Sequence, residues 1–216
     1  EILIKTIKKK VLKNIKYPII IISSKKLFET ELKKFKTKVN LKKLENQTYL
    51  QKKNIYIKDI PLDQSRLTLN KKNKYISDSF KIGLNLLKKN KSFALINGPI
   101  SKTTFLKGKF KGITEYLAFK TKTLNEVMLI FNKKLSVSPI TTHLPINQVT
   151  QRIKKRVIID KIMSVNKFYK KFLGFKPNIA ITGLNPHCET FTGKNIEKTE
   201  ILPAIKFLKK KRVKVL

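Results

Sequence analysis

The chain has 216 residues, of which 50 are Lys or Arg and 13 are Asp or Glu, so its formal net charge is +37. A hydrophobic content of 41% is too high for a disordered polycation, and a single cysteine excludes a disulfide scaffold or a cysteine-rich zinc module. No apolar run approaches the length of a membrane-spanning helix and no signal-peptide pattern is present, so we expect a cytoplasmic protein without a membrane partner.

The hydrophobic pattern predicts strands that alternate with helices. In chain order, the predicted elements are a strand at 17–22, a helix at 25–36, a strand at 54–57, a helix at 73–89, strands at 92–96, 127–131 and 135–140, a helix at 149–172, a strand at 178–182, a helix at 197–211 and a strand at 212–216. The strands are short apolar runs, whereas the helices repeat apolar residues every three or four positions. This alternation favours an α/β fold with a mostly parallel sheet.

The positive charge supports two interpretations. A basic surface can attract nucleic acid or an anionic membrane. Alternatively, AT-rich coding would enrich lysine, isoleucine and asparagine together. Only four of the 50 basic residues are arginine, and lysine is spread along the entire chain. Because nucleic-acid-binding proteins favour arginine and cluster their charge beside aromatic residues, we favour the compositional interpretation and expect no specific nucleic acid partner.

Three loops follow three of the predicted strands, at 98–102, 141–145 and 183–187. In open α/β sheets, ligands bind beyond the carboxyl ends of the strands. Both histidines of the chain, His143 and His187, lie in such loops. Histidine is the commonest metal ligand, but a catalytic zinc site normally takes three protein ligands plus water. The two residues are therefore either candidate metal ligands or ordinary polar loop histidines.

Other residues beside these loops are weaker candidates for chemistry. Lys102 could pair with a phosphate at a helix start, although its loop lacks the second glycine of a P-loop. Cys188 follows His187 directly, but neighbours on a loop rarely face each other, which disfavours a nucleophilic Cys–His pair. Glu115 and Glu189 could each support a histidine through a hydrogen bond, or be solvated.

Five segments indicate a known family. They are Asn97-Gly98-Pro99-Ile100-Ser101-Lys102, Gly112-Ile113-Thr114-Glu115-Tyr116-Leu117-Ala118, Thr141-Thr142-His143-Leu144-Pro145, Gly183-Leu184-Asn185-Pro186-His187 and Ile201-Leu202-Pro203-Ala204-Ile205. In this order and spacing they resemble the 4-hydroxythreonine-4-phosphate dehydrogenases of pyridoxal phosphate biosynthesis. The resemblance covers essentially the whole chain, weakly before residue 92 and clearly after it.

The resemblance implies a two-lobed α/β/α fold like that of the isopropylmalate and isocitrate dehydrogenases, here incomplete, with lobes at 1–111 and 112–216. It implies a homodimer whose active site lies between the lobes. It also implies NAD-dependent oxidation of a secondary alcohol on a small phosphorylated hydroxy acid, followed by loss of carbon dioxide. A bound divalent metal (zinc, magnesium or cobalt) would polarise the hydroxyl oxygen as a Lewis acid.

The family's motifs also imply roles for individual residues. His143 and His187 correspond to two of three metal-binding histidines, and Thr114 corresponds to a substrate-binding threonine. Lys102 matches the lysine of the loop after the strand, for which we expect substrate binding. No residue of this chain is assigned to the chemical step or to NAD.

The departures from the family's pattern support more than one interpretation. Ile113 replaces a substrate-contacting histidine, which favours a related dehydrogenase of another phosphorylated hydroxy acid. Cys188 begins a stretch that differs from the family's Ala-Gly-Glu. The third histidine, the opening glycine-rich segment and much of the NAD site are absent, so we expect a fragment that is inactive or crippled alone. A degenerate, non-catalytic member of the family and a basic nucleic-acid-binding protein are also compatible with the sequence.

Overall fold

The computed structural model describes residues 1–8, 17–45, 50–65, 67–89, 94–188 and 195–216. The chain divides into two compact units, Glu1–Gly108 and Lys109–Leu216. Among the described residues, no helix is both long and apolar enough to span a bilayer. Each unit has its own core, so the two are described separately.

The first unit is an α/β unit built on a parallel sheet. Its elements are α1 (Ile2–Lys8), β1 (Ile19–Ser23), α2 (Lys25–Lys34), β2 (Leu41–Lys43), β3 (Ile55–Asp59), α3 (Leu69–Lys88) and α4 (Lys102–Phe105). The three strands are all parallel and lie in the order β1-β3-β2. In this register Ile21 lies opposite Ile57, and both side chains are buried in the core with Ile4 of α1 and with Phe28 and Leu32 of α2.

Polar contacts fix the turn from β1 into α2. The Ser24 side chain accepts a hydrogen bond from Leu27 N, which caps the helix. Ser24 N donates to the Tyr75 hydroxyl at 2.8 Å, and Lys25 N donates to Asp59 Oδ1 at 2.8 Å. The backbone donors at this buried turn are therefore satisfied by side chains of α3 and β3.

The second unit is mainly helical. Its elements are α5 (Ile113–Thr121), α6 (Ile146–Arg152), α7 (Lys155–Phe168), π-helical turns at Tyr169–Leu173 and Glu197–Ile201, and α8 (Leu202–Lys210). Its core lies between α7 and α8 and includes Ile158, Ile162, Ala204 and Leu208. The described extended segments carry isolated bridges, antiparallel between Ile130 and Val137 and parallel between Ile179 and Val215.

Several predicted elements are confirmed. The strands at 17–22 and 54–57 correspond to β1 and β3, and the helix at 25–36 corresponds to α2. The helix at 73–89 corresponds to α3, which begins earlier because the Thr68 hydroxyl caps it by accepting from Lys71 N. The predicted elements did not include the short segments α1, β2 and α4, or α5.

The single helix predicted at 149–172 is wrong. The chain leaves helical geometry at Ile153 and Lys154, between α6 and α7. Ile153 is buried in the core, and Lys155 N donates to Glu200 Oε2 at 2.8 Å. The break therefore buries an isoleucine, and a carboxylate from a distant segment caps the second helix.

The later strand predictions are confirmed only at isolated bridges between the predicted segments. The segments at 127–131 and 135–140 are joined by one isolated bridge, and so are 178–182 and 212–216. Residues 92 and 93 lie outside the described part of the chain, and 94–96 form no strand. The helix predicted at 197–211 begins as a π-helical turn before Pro203, whose missing N–H removes a regular helical hydrogen bond.

The core of the second unit should respond strongly to truncation of Leu208. Leu208 is 0% exposed and Leu202, on the same helix, is 47% exposed. We expect Leu208→Ala to lower the free energy of unfolding by about 2–5 kcal/mol, because it leaves a cavity. Leu202→Ala is the matched control and should change it by less than about 0.5 kcal/mol. Urea titrations followed by circular dichroism measure both, and equal losses would contradict this core.

Candidate functional site

The candidate site of the second unit is built around the start of α5. Gly112 is buried and immediately precedes the helix, and Thr114 lies half-buried in its first turn. A Cβ atom on Gly112 would lie 2.9 Å from Glu115 Oε2 and 3.5 Å from His143 Nε2. The bare glycine Cα therefore leaves room for a carboxylate and an imidazole to approach the same point of the backbone.

The loop that carries His143 is tied to α5 by a side-chain hydrogen bond. Thr142 Oγ1 donates to Glu115 Oε1 at 3.4 Å, which is at the long end of the range. The next residue, His143, is exposed and has a φ of 55°, in the left-handed region that few non-glycine residues occupy. The threonine therefore anchors the loop directly beside its strained position.

The loop that carries His187 folds back on itself. His187 N donates to Asn185 Oδ1 at 3.0 Å, and Cys188 N donates to the Asn185 carbonyl oxygen at 3.1 Å. A Cβ atom on Gly183 would lie 2.6 Å from Cys188 Sγ and 3.3 Å from Cys188 Cα. Only glycine therefore fits at the base of this turn, which leaves His187 exposed at its tip.

The buried carboxylate of Glu197 accepts a hydrogen bond from the loop that carries His187. Leu184 N donates to Glu197 Oε1 at 3.1 Å, and the Glu197 residue is 4% exposed. Glu197 belongs to the π-helical turn before α8, so the loop is connected to the core of the unit. The sequence gives no indication of this role for Glu197, because no local motif shows that a glutamate thirteen positions away supports a loop.

The structure brings only some of the predicted site residues together. Gly112 brings His143 and Glu115 to one place beside Thr114. Lys102 is exposed at the first position of α4 in the other unit. Cys188 Sγ packs against Gly183, and Glu189 lies outside the described residues. Each histidine is thus placed by its own loop.

Imidazoles at His143 and His187 suit a divalent transition metal by ligand type. The His143 imidazole also lies near the half-buried side chain of Glu115, and a carboxylate is a common neighbour of metal-binding histidines. Within the described ranges, however, no three His, Cys, Asp or Glu side chains are grouped so that they could hold a metal ion. The described residues therefore fit part of a metal site and do not complete one.

The chain matches a known protein family and is similar to several named proteins. Residues 14–216 match the family described as pyridoxal phosphate biosynthetic protein PdxA. A protein of Sulfurihydrogenibium sp. named 4-hydroxythreonine-4-phosphate dehydrogenase is 34% identical over 100% of this chain and 68% of its own length. A protein of the same name from Aquifex aeolicus is 34% identical over 56% of this chain and 39% of its own length.

Solved structures show the same fold. The 4-hydroxythreonine-4-phosphate dehydrogenase of Burkholderia phymatum has a TM-score of 0.81 at 22% identity, over 99% of this chain and 68% of that chain. The Klebsiella pneumoniae protein of that name has a TM-score of 0.76 at 22% identity, over 91% of this chain and 64% of that chain. This likeness confirms the predicted isopropylmalate and isocitrate dehydrogenase-like fold. The chain spans about two thirds of the length of these two structures.

The close approach at Gly183 gives a direct test of the His187 loop. We expect Gly183→Ala to destabilise the second unit by about 1–3 kcal/mol, because a methyl group would overlap Cys188. Gly98→Ala is the matched control: a Cβ there meets nothing within 4 Å, so it should be nearly neutral. Adding Cys188→Ala to Gly183→Ala should restore part of the lost stability, because it removes the sulfur atom that the new methyl group would overlap. Thermal melting measures all three variants, and a neutral Gly183→Ala would contradict the folded-back loop.

Proposed function

The chain belongs to the family of the pyridoxal phosphate biosynthetic protein PdxA, and on that premise we propose that it oxidises 4-hydroxythreonine 4-phosphate. The hydride acceptor in this proposal is NAD, and the oxidised product loses carbon dioxide. The observation that supports it most is the placement of His143 beside Gly112 and Glu115, because two segments that indicated the family meet there. The correspondence of the two compact units to the two lobes of the family is part of the same proposal.

The two histidines are the proposed protein ligands of a divalent metal. A bound zinc, magnesium or cobalt ion would act as a Lewis acid toward the substrate hydroxyl. His143 would hold it from the loop anchored by Thr142, and His187 from the loop supported by Glu197. Because each loop is tied to a helical segment, the backbone that carries each histidine would be held in place before the substrate binds.

Thr114 and Lys102 are the proposed substrate-binding residues. Thr114 lies half-buried at the start of α5, and its hydroxyl can both donate to a phosphate and accept from a substrate hydroxyl. The Lys102 side chain is exposed, so its ammonium group can attract a phosphorylated substrate.

Ile113 supports a second candidate function. It lies between Gly112 and Thr114 at the start of α5, half-buried, and its side chain offers no hydrogen-bond donor. A substrate whose oxygen at this position is missing or replaced by an apolar group would fit such a site better. Oxidation of another phosphorylated hydroxy acid is therefore the alternative to 4-hydroxythreonine 4-phosphate.

We propose that the protein is a cytoplasmic homodimer. An aromatic patch on the surface of the second unit supports the dimer. Its members are Phe131, Phe168, Phe172 and Phe175, each at least 40% exposed, arranged about the buried ring of Tyr169. The ring centroids of Phe131 and Tyr169 are 6.4 Å apart, and those of Tyr169 and Phe175 are 5.4 Å apart. A contiguous exposed aromatic surface of this kind is typical of protein interfaces.

Substrate oxidation is tested on the protein made from the whole reading frame, because the chain spans only part of its relatives. We expect NADH formation from 4-hydroxythreonine 4-phosphate in the presence of Zn²⁺, Mg²⁺ or Co²⁺. The unphosphorylated amino acid should have a kcat/KM at least tenfold lower. A panel of other phosphorylated hydroxy acids is the comparison. A kcat/KM tenfold higher for one of them would establish the alternative, and no turnover of any would contradict both.

The aromatic patch gives a test of the dimer. Phe172 is 58% exposed in the patch, whereas Phe207 is 38% exposed on α8, outside it. We expect Phe172→Asp to weaken self-association by at least about tenfold, because it would bury a charge. Phe207→Asp is the control and should leave the dimer intact. Light scattering across a dilution series measures both, and a monomeric unmodified protein would refute the proposed dimer.

A further inference from the structure

Glu115 has a buried oxygen atom that the proposed chemistry leaves unused. Its Oε1 atom accepts from Thr142 Oγ1, but within the described residues its Oε2 atom is buried and has no hydrogen-bond partner. Burying a polar atom without a hydrogen-bond partner destabilises the folded state, and more so when the group is charged. Such an atom therefore points to a partner that joins it in the working state.

The His143 imidazole is placed to be that partner. Both Glu115 Oε2 and His143 Nε2 lie over the bare Cα of Gly112, within 2.9 Å and 3.5 Å of the position a Cβ would occupy. A neutral imidazole carries one N–H donor, and a carboxylate oxygen is an acceptor. The two groups are thus chemically complementary and lie beside the same backbone atom.

We propose that Glu115 is a positioning residue for His143, with Oε2 accepting the Nε2–H of the imidazole. The same carboxylate would then hold the loop twice, through the Thr142 hydroxyl and through the ring itself. This double contact would offset the cost of the left-handed backbone at His143, whose φ is 55°. The inference rests on the proposed function only where it concerns metal binding.

The pairing would decide which ring nitrogen faces the ligand. When Nε2 carries the proton that Glu115 accepts, the lone pair of the imidazole is on Nδ1. Metal-binding histidines commonly donate their other ring N–H to a carboxylate, which fixes the ring and raises its basicity. His143 would therefore present Nδ1 to a metal ion.

The ring N–H proton of His143 provides the test, with no metal or substrate present. Imidazole N–H protons exchange too fast with water to be seen unless they are hydrogen-bonded, and a carboxylate acceptor shifts them far downfield. The ¹⁵N-labelled 216-residue chain has only two histidines, so His187→Gln identifies both sets of ring signals. We expect a downfield Nε2–H signal from His143 and none from the exposed His187.

Variants of Glu115 make the result specific. Glu115→Ala should abolish the downfield signal, whereas Glu115→Gln, which keeps a neutral acceptor and the side-chain shape, should move it upfield. Asp160→Ala removes a carboxylate elsewhere in the same unit and should leave it unchanged. If Glu115→Ala does not fold, the upfield shift of the His143 signal in Glu115→Gln tests the proposal by itself. Absence of the signal from the unmodified chain, or its persistence unshifted in Glu115→Gln, would overturn the proposal.

A cobalt titration separates this inference from the proposed function. If the unmodified chain binds Co²⁺, Glu115→Ala should weaken binding about 10- to 100-fold, the usual effect of removing a carboxylate that supports a metal-binding histidine. An unmodified chain that shows the downfield signal but binds no Co²⁺ would support the Glu115–His143 pair and contradict its metal-positioning role. Equal Co²⁺ affinity in both proteins would contradict that role too.

Discussion

The two histidine loops depend on carboxylates that connect them to helical segments. Glu115 of α5 accepts from Thr142, and buried Glu197 accepts from Leu184 N. Each loop contains a non-glycine residue with positive φ, His143 in one and Cys188 in the other. Such backbone costs free energy and persists only when surrounding contacts determine it. The two carboxylates each hold a residue of one histidine loop, so both loops are connected to helical segments.

The same constraint explains the small and turn-forming residues in the loops. Gly112 and Gly183 each leave room for a side chain that contacts the backbone, Glu115 at one position and Cys188 at the other. A methyl group at either glycine would displace atoms that set a histidine loop. Both glycines belong to the motifs that indicated the family, so two of the motif residues are also ones that this geometry requires.

Four elements of the first unit, β1, α2, β3 and α3, could be predicted from sequence because their signals are local. The run of isoleucines at Ile19–Ser23 forms a half-buried strand whose central Ile21 is buried, and the helical period of α3 is plain along the chain. The break at Ile153 could not be predicted, because it depends on Glu200 reaching Lys155 N from another segment. The candidate histidines could be found from residue type and loop position, whereas the role of Glu197 exists only in three dimensions.

We propose that His143 and His187 together bind one divalent metal ion. Anomalous diffraction from crystals grown with Zn²⁺ or Co²⁺ tests it most directly, since the signal locates the metal independently of any assay. We predict one anomalous peak within bonding distance of both imidazoles, about 2.0–2.1 Å from each nitrogen for zinc. A metal bound at a site that includes neither histidine would contradict this claim.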